Sequence, residues 1–229
     1  MKAFLLLVLP ALLHTAALAQ TGRPADPRHR MFSGRITYQV TSESPDSSML
    51  ELFRSFAPDR YVVLYDSTGR VRVTEEGANA RVDMIVDRNH SRYLQVERSE
   101  KLAYILTRNS VDSGLAPTQL RESGVTDTIN GVPCRRYLVL ASPFIRKNAI
   151  AYVWINDSVR VPMERAEFDN DESGFRGFFP LPLVIGGANG LVMKLAVTER
   201  YVTSSYTATL EPGPVPGEAF SIPADYAVR

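Results

Sequence analysis

The strongest constraint on this chain is a period of two. Arg35-Ile36-Thr37-Tyr38-Gln39-Val40-Thr41 alternates without a break, placing Ile36, Tyr38 and Val40 on one side and polar residues on the other. That repeat belongs to an extended strand with one buried face, because successive strand side chains point to opposite sides. The alternation returns at 70–74 with Val71 and Val73, at 81–87 with Val82, Met84 and Val86, at 92–98, and at 101–107 with Leu102, Tyr104 and Leu106. Short polar turns divide these runs, among them Asp66-Ser67-Thr68-Gly69, Glu76-Gly77-Ala78-Asn79, 87–91 and Arg98-Ser99-Glu100. Strands recurring every ~10 to 12 residues leave no room for crossover helices, so the pattern predicts a meander.

Residues 109–124 lose the alternation and gather Ser, Gly and Pro, which predicts a long surface connection or a short helix. Strands resume at 125–129 and 134–140 around Asn130-Gly131, a pair that tolerates positive φ and so favours a tight hairpin. Further strands are expected at 149–155, 190–201 and 203–210, and Pro212, Gly213, Pro214, Pro216 and Gly217 form a stiff connector to the closing segment 220–226. Met49, Leu50, Leu52, Phe53 and Phe56 fit helical and strand spacing about equally; the extended run 61–65 beside them favours strand.

The first residues carry a different signal. Ala3 to Leu13 is an unbroken apolar run after Lys2, followed by Ala17-Leu18-Ala19, the order of a charged n-region, an h-region and a small-residue cleavage site. The expectation is a signal peptide over 1–19, a flexible leader over 20–31 and one β domain over 32–229, in a periplasmic or secreted protein. Removing 1–19 takes away a single charge and leaves 25 basic against 25 acidic residues. A neutral chain lacks the basic excess of a nucleic-acid binder. After the signal no run reaches the roughly 18 apolar residues of a membrane span. Cys134 is the only cysteine, so no intrachain disulfide forms, and a lone cysteine in a strand reads as a small buried apolar residue.

Little in the chain resembles catalytic machinery. His29 lies in the leader and His90 in a turn with Asn89 and Ser91, so no Ser-His-Asp arrangement is expected. Zinc-type Cys/His spacing is absent. Asp169-Asn170-Asp171-Glu172-Ser173-Gly174 opens like a calcium loop, yet Pro180 stands where the bidentate Glu belongs, and the reading is a solvated acidic turn. Glu75-Glu76, and Glu164 with Glu167, read as exposed charges. The expectation is a protein without catalytic residues, metal or cofactor, and not an enzyme. Basic residues are lopsided, with 22 Arg against four Lys, and adjacent Arg135 and Arg136 must point to opposite faces of a strand.

Three landmarks then coincide. Phe32-x-Gly34-x-Ile36-Thr37-Tyr38, the central stretch from Thr128 through Asn130-Gly131-Val132-Pro133-Cys134 to Tyr137, and Phe220-Ser221-Ile222-Pro223-Ala224-Asp225-Tyr226 resemble, in order and spacing, exported bacterial domains of the LolA/LolB-like superfamily. Gly187-Ala188-Asn189-Gly190-Leu191-Val192 stands where the related GLPGLI proteins carry Gly-Leu-Pro-Gly-Leu-Ile, matching Gly190 and Leu191 without the Pro. The resemblance implies an all-β, mainly antiparallel fold: a LolA-like incomplete barrel with a loop or short helix over its hollow. It also implies that such a hollow can hold acyl chains.

The residues that would cover it are in the apolar stretch 178–188. Pro180 and Pro182 argue against a regular helix there; the stretch either folds as a lid over the open side of the sheet, stays partly exposed as a contact for lipid or a partner protein, or packs as an edge segment against its own core. Phe178, Phe179, Leu181, Leu183 and Ile185 are the candidate ligand-binding residues. The function expected is a non-enzymatic exported binding module for a lipid, an acyl chain, another apolar ligand or a lipidated protein. The alternative is an envelope interaction or assembly protein whose core is filled by its own side chains.

Overall fold

The computed structural model describes residues 30–77, 82–87, 90, 92–106, 118–143, 145–161, 181–186 and 190–229. The strands are β1 (Arg30–Met31), β2 (Gly34–Glu43), β3 (Arg60–Tyr65), β4 (Arg70–Glu76), β5 (Val82–Asp87), β6 (Arg92–Glu97), β7 (Leu102–Leu106), β8 (Gln119–Ile129), β9 (Val132–Ala141), β10 (Ile150–Asn156), β11 (Val159–Arg160), β12 (Leu191–Glu199), β13 (Val202–Pro212) and β14 (Ala227–Val228). Two helices interrupt them, α1 (Ser47–Arg54) and α2 (Leu181–Gly186).

Among the described residues, one sheet of 12 strands runs in the order β14-β7-β6-β5-β4-β3-β2-β13-β12-β10-β9-β8, and β1 pairs separately with β11. Every neighbour pair in the large sheet is antiparallel except β14 with β7. β2 to β7 form one meander, β8, β9, β10, β12 and β13 the other, and the β2–β13 ladder from Glu43↔Thr203 to Gly34↔Pro212 joins them. The expected fold class therefore holds: a mostly antiparallel open sheet, not closed into a barrel, with a helix on one face.

Buried side chains of β2 to β6, of β9, β10, β12 and β13, and of α2 belong to one core, so the two meanders curve around a common inner face, the concave face of the sheet.

Register fixes which side chains share that face. Val153 faces Leu195, Leu195 faces Tyr206, and Tyr206 faces Val40. Two residues along β2, Tyr38 faces Tyr61, which faces Glu75. Tyr38, Tyr61, Val153, Leu195 and Tyr206 belong to the main core with the buried Ile36, Val63, Val71, Val73, Met84 and Val86; half-buried Val40 packs against it and buried Glu75 lies on the same face. The opposite face of β5 to β7 has its own smaller core, in which Ile85, Leu94, Val96 and Ala103 pack under Phe220 from the C-terminal segment.

Besides β1, which pairs Arg30–Met31 with Val159–Arg160 inside the stretch expected as a flexible leader, three elements depart from the sequence reading. The stretch containing Met49 to Phe53 is helical, not extended. Asp46 sits at its N-cap with extended backbone, and its carboxylate accepts from the N–H groups of Ser48 (2.9 Å) and Met49 (3.2 Å). Those two bonds satisfy donors that the first turn leaves without partners, and they decide between otherwise balanced patterns. Secondly, β8 starts at Gln119, inside the stretch that carried no alternation; it is exposed on both faces for most of its length, so solvent imposes no apolar period on it. Thirdly, residues 181–186 form helix α2 despite Pro182. Proline in the first turn is tolerated, because its missing N–H would have had no helical partner there.

Candidate functional site

The site is the concave face with α2 laid into it. Leu183 and Ile185 are 4% and 2% exposed and belong to the main core. They are as deeply buried as the sheet residues around them, so α2 fills the hollow where it crosses. Leu181 opens the same helix. Phe178 and Phe179 lie outside the described residues, as do His29, the acidic stretch 169–174, Glu164 and Glu167.

The entry of β12 beside α2 depends on Gly190. Its φ is +123°, and a Cβ added there would stand 2.5 Å from the carbonyl oxygen of Asn156. Only glycine lets the chain pass so close to the β10–β11 turn. Asn156 builds that turn: its side-chain oxygen accepts from the N–H groups of Ser158 and Val159, both at 3.1 Å, while its amide donates to the Pro133 carbonyl at 2.8 Å.

Beside α2 the face is aromatic, and towards one rim it turns polar. Tyr38 is fully buried and donates its hydroxyl to the Val192 carbonyl at 3.0 Å. Tyr61 and Tyr206 pack with ring centroids 6.4 Å apart. Burial pushes the Tyr38 hydroxyl far above its usual pKa and that of Tyr206 up to about 12. Burial, then the charges of Tyr206 and Glu75, raise Tyr61 further still. All three phenols are neutral at physiological pH, and their rings line an apolar wall.

Glu75 corrects the sequence reading. It is not the exposed charge expected there: it is buried on the concave face beside Tyr61, whereas Glu76 turns outward to Arg60 at 2.5 Å. The signal was present in the alternation itself, because 71, 73 and 75 share one face of β4. Gln95 is also buried on this face and donates to Glu97 at 3.0 Å.

Cys134 is buried, as expected for a lone strand cysteine. Arg135 and Arg136 do lie on opposite faces, opposite Ile155 and Trp154 respectively. Both have partners: Arg135 pairs with Asp157 and lies 3.8 Å from Glu122, while Arg136 stacks over Tyr152 at 5.2 Å and donates to the Ser123 hydroxyl. His90 is exposed and engages Asp87 at 2.8 Å. Among the described residues no cluster of three or more His, Cys, Asp or Glu side chains lies together, and no helix is long and apolar enough to cross a membrane.

A separate cleft of roughly 440 Å³ opens where β9 turns into β10, with Val139, Ile145 and Ala149 in its wall and Arg146 and Lys147 at its edge. Sequence reading did not single it out, because 142–149 carries no strand or helix period.

No family model and no curated protein matches this chain. Among solved structures, it is similar to an uncharacterized conserved protein from Thermus thermophilus, with 8% identity, 86% of this chain and 90% of that chain covered, and a TM-score of 0.47. It is also similar to the Mycobacterium tuberculosis lipoprotein LppX, with 14% identity, coverage of 80% and 89% and a TM-score of 0.35. A LolA superfamily protein from Nitrosomonas europaea matches with 12% identity, coverage of 86% and 91% and a TM-score of 0.33. Likeness at this level carries no ligand or activity across.

Proposed function

We propose that this protein is an exported, non-enzymatic binding module whose concave face takes an acyl chain or similar apolar ligand, with α2 as a displaceable plug. One observation carries this reading. α2 has six residues, far short of the ~12 to 15 an isolated helix needs in water, so its helical state depends on the apolar face beneath Leu183 and Ile185. An acyl chain presents the same kind of surface and competes for the same face. Phe178, Phe179, Leu181, Leu183 and Ile185 are the proposed ligand-contacting residues, and the neutral phenols of Tyr61 and Tyr206 would meet the polar end.

A second reading rests on the same burial. Leu183 and Ile185 are core residues in this state, which favours a protein that fills its own hollow and acts by binding another chain. Strand addition is hindered at both sheet margins. β8 is broken by a register shift between Glu122 and Thr126 around Gly124, whose φ is +71°, and β7 is covered by β14. Mass spectrometry of lipid extracted from protein purified out of the periplasm separates the readings. The carrier retains acyl lipid, and Leu183→Ala, which vacates part of the plug, retains more. Lipid-free protein in both forms removes the carrier reading and leaves the interaction protein.

A further inference from the structure

One end of the sheet differs from the rest of the surface. At this end β2 passes into α1, β9 into β10 and β12 into β13, as the pairings Glu43↔Thr203, Glu199↔Val202 and Ile150↔Thr198 require. Five of the ten exposed large apolar side chains found among the described residues lie here: Leu52, Phe56, Leu140, Ile150 and Tyr201. They come from three separate connections, and Phe56 and Tyr201 are 73% and 66% exposed. Single exposed apolar residues are ordinary on any protein, but five gathered on one rim by unrelated segments are not. At the opposite end the hairpin turns are polar, with Asp66 to Gly69, Asn130-Gly131 and Asp157-Ser158.

Charge divides this rim: around α1 the exposed Glu43, Asp46, Glu51 and Asp59 outnumber Arg54, whereas cations gather at the other two connections. Around the β9–β10 and β12–β13 connections, Arg146, Lys147 and Arg200 stand against Glu199, which engages Arg146 at 2.5 Å. Lys147 and Arg200 are exposed beside Ile150 and Tyr201. Apolar side chains that reach outward among cations, with a tyrosine between them, match the boundary of a bilayer that carries negative headgroups. The cleft beside Arg146 and Lys147 is large enough to receive part of a headgroup.

We infer that this rim docks on an anionic lipid surface, with Leu140, Ile150 and Tyr201 entering the headgroup boundary and Lys147 and Arg200 held against the phosphates. Docking at the rim does not depend on what the concave face holds, so it stands or falls apart from the carrier reading. The test is flotation of the full mature chain with vesicles of phosphatidylcholine alone and of phosphatidylcholine mixed with phosphatidylglycerol. Binding is expected only to the mixed vesicles and weakens as salt rises. Lys147→Ala combined with Arg200→Asn removes two cations and lowers partitioning about 30-fold; Asn suits the left-handed backbone at Arg200, where φ is +53°. Ile150→Ser with Tyr201→Ser abolishes flotation while the thermal transition stays in place, because both side chains are already in water. Equal binding to neutral vesicles, no binding to either, or binding untouched by the double charge variant overturns the inference, whatever the lipid content of the soluble protein proves to be.

Discussion

Burial is the main influence on the chemistry of Cys134. Desolvation first, with a smaller contribution from nearby Asp127, raises its thiol to about 11, so almost none of it is thiolate at neutral pH. Native protein is expected to resist a thiol reagent until pH rises past about 10 or the chain unfolds. Cys134→Ser should cost about 1 to 3 kcal/mol in chemical denaturation, since the thiol donates to the Val132 carbonyl at 3.3 Å and a hydroxyl on its shorter C–O bond is buried without that reach. Rapid labelling of folded protein at neutral pH would remove this assignment. Asp66 is set the other way. Burial acts to raise its carboxyl, but donation from the Arg70 N–H and guanidinium and from the Thr68 hydroxyl and N–H outweighs it, and the pKa is lowered. Its contribution is therefore fully present above pH ~4 and is lost as pH falls through the lowered native value. Asp66→Ala should cost about 1 to 3 kcal/mol at neutral pH and flatten the acid limb of the stability curve. Of these two residues, Cys134 was legible in the sequence. The burial of Asp66 was not, because a polar residue in a turn gives no sign of how many donors converge on it.

At the scale of elements, the strands were legible wherever one face is buried, because burial imposes the period of two. The first half of β8 faces water on both sides and takes its place from its ladder with β9, so no pattern marks it. A short covering helix was implied by the resemblance, but the residue pattern pointed to neither helix. α1 depends on Asp46, a capping residue rather than a periodic one, and none of its own residues is buried. Asp46→Ala should speed hydrogen exchange across 47–54 and leave global unfolding unchanged, because little else rests on that helix. α2 depends on tertiary contact, which no short-range signal reports. Leu183→Ala should cost about 2 to 5 kcal/mol, in keeping with a core position. Leu183→Asp should leave no recoverable folded protein if α2 stays seated throughout, since a buried unpaired carboxylate exceeds what the fold can absorb. Recovery of folded Leu183→Asp with a cooperative transition would mean that α2 can leave the face, as a displaceable plug must.

The sheet carries a cover on each face, the outer one over β5 to β7, and the sequence indicated only the inner one. The concave face is written in the alternation of β2 to β6, whereas the cover on the outer face comes from the chain's last residues, which carry no strand period. There Phe220 is buried against Ile85, Leu94, Val96 and Ala103, Arg70 lies 4.7 Å over its ring, and Arg72 donates to the Ala219 carbonyl at 2.9 Å. Arg72 also holds buried Asp83 at 2.5 Å, with Arg98 3.4 Å from the same carboxylate, so charge beneath the strap is paired as well as covered. β14 then closes the free margin of β7 through Ala227↔Leu102 and Val228↔Ala103. The C-terminal segment thus both covers a core and blunts a sheet edge, two jobs that fail together. Phe220→Ala should cost about 3 to 5 kcal/mol, because a buried ring leaves a cavity that two short flanking segments cannot fill. Removal of 217–229 should do more: it bares the outer core and the β7 edge at once, and the expected product binds a hydrophobic dye and associates in sedimentation. Lys101→Ala is the control, since the Lys101–Asp225 pair is fully exposed at the same segment, and its loss should leave both dye binding and sedimentation as they were. A monomeric, dye-silent truncated chain would mean that the outer face is sealed without the strap and that β7 needs no cover.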